Sequence, residues 1–126
     1  MIEGVIRGAG TPVLTLRILG KGDIEVTTEG VLDTGFDGFL CLPIPLAVSL
    51  GLELMDVTRT ELADGTIVED ELVFAGRAEW DGAVIEVDIL LTRSEDVLIG
   101  TAFLKGHLVQ LDYQANSVRI EKTVEK

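Results

Sequence analysis

The chain alternates apolar and polar residues over short stretches, and this period-two pattern constrains the fold more than any other feature of the sequence. Leu14, Leu16 and Ile18 alternate with polar neighbours, which is typical of a strand with one buried face. Gly20-Lys21-Gly22-Asp23 then supplies turn residues, and the alternation resumes over residues 24–28, so the two stretches predict a β-hairpin. Fourteen glycines and few aromatic residues also fit a fold with many tight turns. We therefore expect a mostly β domain.

The remaining patterns predict one short helix among further strands. Pro45 suits the first turn of a helix and Gly51 suits the position just past its end, so residues 45–50 are predicted to be helical. Short strands are expected at residues 39–42 and 97–100, and one helical turn is expected at 101–105. Further strands are expected at 57–62 and 66–74 around the turn Asp64-Gly65, at 84–91 after the turn Trp80-Asp81-Gly82, and at 107–112 and 117–121.

Length, charge and cysteine content limit the classes of function. A chain of 126 residues with no linker or repeat favours a single domain spanning 1–126. The net charge of −12 repels phosphate backbones and anionic lipid, so we expect neither nucleic acid nor a membrane as a partner. The lone Cys41 cannot form an internal disulfide, and the start of the chain lacks the profile of a signal peptide. We expect a cytoplasmic protein.

The sequence Val31-Leu32-Asp33-Thr34-Gly35 carries the chemistry. An apolar strand leads a carboxylate into a tight turn, and the glycine lets a backbone N–H approach that carboxylate closely. The threonine hydroxyl can satisfy backbone groups at the base of such a site. A rigidly held carboxylate of this kind can activate a water molecule. By itself, however, the triplet is equally typical of an ordinary turn that ends a strand.

Four further features accompany the triplet in a specific order. The Leu-Pro step Leu42-Pro43 and the predicted helix follow it, then the hairpin Leu62-Ala63-Asp64-Gly65-Thr66, and then Leu98-Ile99-Gly100 before a helical turn. From about Val13 to Ile120 the sequence resembles the retropepsin-like aspartic proteases, the single-lobe relatives of pepsin. It is most similar to small bacterial and archaeal members that carry an Asp-Thr-Gly-Phe-(Asp/Asn/Thr)-Gly loop.

The resemblance implies a single-lobe β-barrel with one short helix that acts as a homodimer on a peptide or protein substrate, without cofactor or metal. The terminal segments would complete a sheet between the subunits, Thr34 would lock the two catalytic loops together, and Gly100 would pack beneath the loop. The hairpin tip would be a flap that closes over substrate. The implied catalytic residues are Asp33, Thr34 and Gly35, the implied substrate-binding residues are Asp37, Ala63, Asp64, Gly65 and Thr66, and the implied structural support of the site is Leu98, Ile99 and Gly100.

A homodimer also follows from the chemistry. One carboxyl cannot both deprotonate the attacking water and protonate the departing amine, whereas two carboxyls that share a proton can. The chain has a single Asp-Thr-Gly, so a second copy supplies the second carboxyl by symmetry. The sequence departs from the viral pattern at Gly38, which replaces a bulkier residue, and at Thr101, where the viral enzymes carry an arginine. The flap is also less rich in glycine.

Other interpretations of these residues are weaker. A calcium loop starting at Asp33 lacks acidic ligands at its third and twelfth positions, Gly35 and Ile44. His107 is the only histidine and Cys41 the only cysteine, so a metal site or a nucleophile pair is not expected, and Cys41 is interpreted as a small core residue. The main alternative is a binding or dimerisation module that keeps the protease fold without catalysis.

Overall fold

Most of the chain forms strands, as the alternation of apolar and polar residues predicted. The computed structural model describes residues 1–61, 63–65 and 67–123. At residues 58–61 and 67–70 it describes the backbone alone. The strands are β1 Ile2–Arg7, β2 Thr11–Leu19, β3 Glu25–Leu32, β4 Leu40–Pro43, β5 Glu53–Glu61, β6 Ile67–Trp80, β7 Ala83–Thr92, β8 Leu98–Ile99, β9 His107–Asp112 and β10 Ser117–Lys122. A helix, α1, spans Ile44–Leu50, and a single 3-10 turn spans Thr101–Phe103. No helix among these residues is long and apolar enough to cross a bilayer.

Six of the strands close into a barrel. They run in the order β6, β7, β4, β8, β3 and β2, and a further antiparallel pairing between β2 and β6 joins the two ends. Arg17 on β2 lies opposite Glu79 on β6 at this seam and also bonds Glu25 on β3, with nitrogen–oxygen distances of 2.8 and 2.6 Å. A sheet closed in this way leaves no edge within the ring.

The short strand β8 lies between the strands that flank the Asp-Thr-Gly turn. It pairs in parallel with β3 on one side, Leu32 opposite Ile99, and antiparallel with β4 on the other, Leu40 opposite Ile99. The chain leaves β3, passes the end of β8 and returns as β4. The loop of residues 33–39 therefore crosses the end of β8, and this crossing positions the candidate site.

The helix α1 confirms the prediction from Pro45 and Gly51, with one extra residue at its start. Gly51 has a φ of 62°, and its N–H donates to the carbonyl of Val48, so it ends the helix in the left-handed conformation that glycine tolerates best. Ala47 and Leu50 face the interior and are almost completely buried. The helix covers the side of the barrel next to β4 and β7.

The hydrophobic core is filled by aliphatic side chains and includes a group of three aromatic rings. Trp80 stacks on Phe103 with ring centroids 4.6 Å apart, and Phe39 meets Phe103 edge to face at 5.0 Å. The side chains that are buried most completely are Leu14, Ile18, Leu40, Leu42, Leu50, Ile89, Ile99, Val118 and Ile120. Ile99 and Leu40 belong to this core, so the crossing at β8 is anchored in the best-packed part of the protein.

Three strands, β1, β5 and β6, differ from the sequence expectations, and β5 does so by beginning at Glu53 instead of residue 57. The strand β1 was not predicted, and it pairs within its own chain with β2 and β10, Ile2 lying opposite Ile120. On its other side β10 pairs with β9, which forms an edge of the sheet. The sheet between subunits that the resemblance implies stays a prediction. In addition, β6 continues to Trp80 instead of ending near residue 74, because its second half pairs with both β7 and β2.

Candidate active site

Asp33 lies where β3 ends, at the start of the loop that crosses β8. Its N–H donates to the carbonyl of Ile99 at 2.9 Å, so the backbone of the core strand holds it in place. Its Oδ1 accepts the N–H of Gly35 at 2.9 Å, and Oδ2 has no hydrogen-bond partner within the described residues. The side chain is half-buried. The carboxylate is thus oriented through one oxygen, while the other is left without a hydrogen bond from the described residues.

Thr34 and Gly35 form the exposed tip of the turn. The N–H of Phe36 donates to the carbonyl of Asp33 at 3.2 Å and closes the turn around these two residues. Within the described residues of this one chain the hydroxyl of Thr34 has no hydrogen-bond partner, and the side chain is exposed. Its predicted contact with the loop of a second subunit stays a prediction.

Gly100 lies directly beneath the loop. A Cβ built on Gly100 would lie 2.7 Å from Cδ2 of Phe36 and 2.8 Å from the carbonyl carbon of Gly38, and closer still to the oxygen of that carbonyl. A Cβ built on Gly38 would in turn lie 2.6 Å from Cζ of Phe36. Real Cβ atoms do not approach other atoms so closely, so glycine at both positions lets the Phe36 ring and the loop backbone pack onto the end of β8.

Backbone hydrogen bonds fasten the loop to the segment after β8. The N–H of Gly100 donates to the carbonyl of Phe39 at 2.8 Å, that of Thr101 to Phe36 at 2.8 Å, and that of Ala102 to Gly38 at 3.2 Å. Thr101 occupies the position where the viral enzymes carry an arginine, and here its backbone makes the contact with the loop. With Leu98 and Ile99 paired to both β3 and β4, the loop is held from both ends.

The proposed flap lies at the tip of the hairpin formed by β5 and β6. Ala63, Asp64 and Gly65 are exposed there, and Gly65 has a φ of 85°, which a residue with a side chain rarely adopts. Thr66, the fourth predicted flap residue, lies outside the described residues, as does Leu62. Among the residues of this hairpin whose side chains are described, Val73, near the middle of β6, lines a cleft together with residues of the Asp33 loop.

Asp37 lines a cleft of about 270 Å³ beside the catalytic loop. The rest of the cleft consists of loop residues, outward-facing residues of β6 and β7, and one residue of the 3-10 turn: Phe36, Gly38, Phe39, Val73, Asp88, Leu90 and Ala102. Asp88 was not predicted from the sequence as a residue of the site. The alternation along β7 indicates that Asp88 faces outward, but only the pairing of β7 with β4 brings it to the loop that carries Asp33.

A larger cavity of about 830 Å³ lies further along the same surface. It extends from Asp88 over β6 and β7 to the turn between β2 and β3, and it includes Lys21 and Arg77. Phe39 and Asp88 line both the cavity and the cleft. Among the described residues, none of 33–38 lines the larger cavity. Asp33 itself lines neither of the two, but Phe36, Asp37 and Gly38 of the loop that carries it line the smaller cleft. We therefore place the candidate site at the smaller cleft, because catalysis needs the reactive carboxyl close to the bound substrate.

The surroundings of the only cysteine and the only histidine favour a structural role for both residues. Cys41 is half-buried on β4, and burial raises the pKa of its thiol, which disfavours the reactive thiolate. His107 contacts the carbonyl of Lys105 through Nδ1 at 2.8 Å and receives the indole N–H of Trp80 at Nε2, 3.4 Å away. Among the described residues no group of three or more His, Cys, Asp or Glu side chains is arranged to hold a metal ion.

Comparisons with known proteins establish the fold. No protein-family model and no curated protein matches this sequence. Among solved structures, a retropepsin-like aspartic protease from Rickettsia conorii is similar with a TM-score of 0.59 and 15% identity, covering 93% of this chain and 87% of that chain. The EIAV protease, solved in complex with the inhibitor HBY-793, is similar with a TM-score of 0.51 and 18% identity, covering 77% of this chain and 88% of that chain. The chain has the fold of a single-lobe retropepsin-like aspartic protease, as the sequence resemblance predicted.

Proposed function

We propose that this retropepsin-fold chain is an aspartic endopeptidase whose active form is a homodimer, with Asp33 of each subunit at one shared site. The observation that carries the proposal is the position of Asp33. Its backbone is bonded to the core strand β8, its Oδ1 is held by the N–H of Gly35, and the whole loop packs onto Gly100. A carboxylate fixed in this way is preorganised for general acid–base catalysis.

The second carboxyl must come from a second copy. Peptide hydrolysis needs one group to accept a proton from water and another to donate one, and this chain has a single Asp-Thr-Gly. Thr34 and Gly35 are exposed at the tip of the loop, so the tips of two loops can meet around a two-fold axis. The exposed hydroxyl of Thr34 is then available for a hydrogen bond to the partner's loop.

The reaction follows from two adjacent carboxyls that hold one proton between them. Two negative charges a few ångströms apart repel, so one Asp33 stays protonated while the other is ionised. The ionised carboxylate takes a proton from water as its oxygen attacks the peptide carbonyl carbon, and the protonated carboxyl donates its proton to the carbonyl oxygen. The carboxyl that took the proton from water then donates it to the amine nitrogen as the C–N bond breaks. The other Asp33, now ionised, accepts a hydroxyl proton of the tetrahedral intermediate, so that one carboxyl is again protonated and the other ionised, as at the start.

Replacement of Asp33 by asparagine tests the proposal. The amide keeps the shape of the side chain but cannot accept the proton, so Asp33→Asn should reduce cleavage of a mixed peptide library to background between pH 4 and 7. Asp23→Asn, in the exposed turn between β2 and β3, makes the same chemical change elsewhere and should cleave like the unmodified protein.

The result also separates the enzyme from the alternative of a binding module with the same fold. Melting temperature and sedimentation of both variants establish that the fold and the assembly are retained. Cleavage that survives in a pure Asp33→Asn preparation would overturn the assignment of Asp33. An unmodified protein that cleaves no peptide at any of these pH values would favour the module.

A further inference from the structure

The cleft beside the catalytic loop has the size of one side chain. Its volume is about 270 Å³, which is below the range of about 300–1,000 Å³ typical of sites for a whole small molecule. Gly38 and Ala102 line it and fill little space. Because Phe36, Asp37 and Gly38 belong to the same loop as Asp33, a peptide bound at Asp33 can place one of its side chains in this cleft.

The walls of the cleft are apolar. Phe36, Phe39 and Ala102 come from the loop and the 3-10 turn, while Val73 and Leu90 come from β6 and β7. Apolar walls of this kind bind an aliphatic stem by excluding water from it. They do not by themselves distinguish a leucine or norleucine side chain from the stem of a lysine or arginine.

The charges at the cleft make that distinction. Asp37 and Asp88 both line it and both are exposed. Within the part of the chain that the structure describes, neither carboxylate has an ion-pair or hydrogen-bond partner. Among the described residues that line the cleft none is cationic. Lys21 and Arg77 line the larger cavity together with Asp88, but neither forms an ion pair with it within the described residues. A neutral occupant would displace water from these carboxylates without replacing its hydrogen bonds.

We propose that this cleft binds a lysine or arginine side chain of the peptide substrate, so that Asp37 and Asp88 are specificity-determining residues. The inference rests on the proposed protease function, since it assigns a substrate preference to that site. The aliphatic stem packs on the apolar walls and the cationic head lies between the two carboxylates. The net charge of −12 adds a long-range attraction for basic peptides and a repulsion for acidic ones.

A peptide library that contains norleucine as the uncharged counterpart of lysine tests the inference. The cleavage products of the unmodified protein are sequenced by mass spectrometry, and the frequencies of lysine, arginine and norleucine are compared at each position near the cut. We expect one position at which the basic residues exceed norleucine about fivefold, the upper end of what one exposed ion pair contributes. In Asp88→Asn the ratio should fall towards one, while the matched control Asp23→Asn should keep it.

A binding measurement separates failure of this inference from failure of the proposed function. The same library is captured on immobilised Asp33→Asn protein, which does not depend on turnover, and on the double variant Asp33→Asn/Asp88→Asn. Enrichment of basic over norleucine peptides on the first protein but not on the second supports the inference even if the unmodified protein cleaves nothing. Equal ratios in cleavage and capture with and without Asp88 would overturn the inference while leaving the protease assignment intact.

Discussion

Gly100→Ala tests the packing of the catalytic loop most directly. Gly100 has a φ of −95° and a ψ of 175°, an extended conformation that alanine adopts without strain. Any loss of stability in this variant must therefore come from the added Cβ, which would lie 2.7 Å from Cδ2 of Phe36 and 2.8 Å from the carbonyl carbon of Gly38. One of these neighbours is backbone, so a simple side-chain rotation cannot relieve the overlap.

The expected change in the free energy of unfolding of Gly100→Ala is the difference between two opposing effects. Forcing an extra carbon into a packed region typically costs about 1–3 kcal/mol. Replacing glycine by alanine at a compatible conformation offsets about 0.4–1 kcal/mol of that, because the unfolded chain becomes less flexible. A net loss of about 1–2 kcal/mol in the free energy of unfolding remains, and for a chain of this length it lowers the melting temperature by about 3–10 °C.

The control is Gly22→Ala, which changes stability for a different reason. Gly22 has a φ of 62° and no atom within 4 Å of the position where a Cβ would lie, so alanine there is strained but meets nothing. Its cost is about 1–2 kcal/mol. Both variants should therefore melt lower by similar amounts, whereas only Gly100→Ala should also lose peptide cleavage, because only there is the loop that carries Asp33 displaced.

Thermal melting and cleavage of the mixed library are the two measurements. A Gly100→Ala protein that melts and cleaves like the unmodified protein would refute the packing of the loop on β8. A Gly100→Ala protein that melts lower but keeps its cleavage would show that the displacement does not reach Asp33. Since melting is measured independently of turnover, the packing argument is tested even if the chain is not an enzyme.

Two further predictions concern pH and assembly. The hydrogen bond from Arg17 lowers the pKa of Glu25 in the folded state. The Glu25–Arg17 interaction therefore stabilises the fold fully above the pKa of Glu25 in the unfolded chain, about 4.3, and this stabilisation is lost as the pH falls through the lower pKa of the folded state. Glu25→Gln should therefore melt at a lower temperature than the unmodified protein near pH 7, and the difference in melting temperature should shrink towards pH 3. A difference that is constant across this range would contradict the coupling between protonation of Glu25 and stability. For assembly, cleavage should fall faster than linearly on dilution, and sedimentation should show the dimer dissociating over the same concentrations, because the shared site exists only in the dimer. A monomer that keeps full activity would contradict the shared site.

Much of the local structure could be predicted from the sequence. The alternation around Leu14–Ile18 and the turn residues that follow it predicted β2 and its hairpin with β3, and Pro45 with Gly51 predicted α1 to within one residue. Such signals are local, since a strand's buried face and a helix's ends are determined by neighbouring residues. The resemblance carried by the Asp33 turn and Leu98-Ile99-Gly100 predicted the fold itself.

The strand β1 could not be predicted in this way. Its sequence, with Gly4 in the middle and the apolar pair Val5-Ile6, lacks a clean alternation. Gly4 is needed there because a Cβ would lie 2.6 Å from Cδ2 of Leu14 on the neighbouring strand. Glycine weakens a strand locally, but here the close approach of the neighbouring strand β2 leaves no room for a side chain. This requirement becomes visible only in the folded structure.

The sequence by itself determined which residues face inward, where the chain turns, and that a carboxylate follows β3 in a glycine turn. Only the tertiary structure decided that β1 pairs with β10 inside one chain, that β6 closes the barrel on β2, and that Asp88 lies beside the loop of Asp33. The physical reason is the range of the interactions. Periodicity reports the face of a strand and not its neighbour, whereas pairing is selected by packing among segments far apart in the chain.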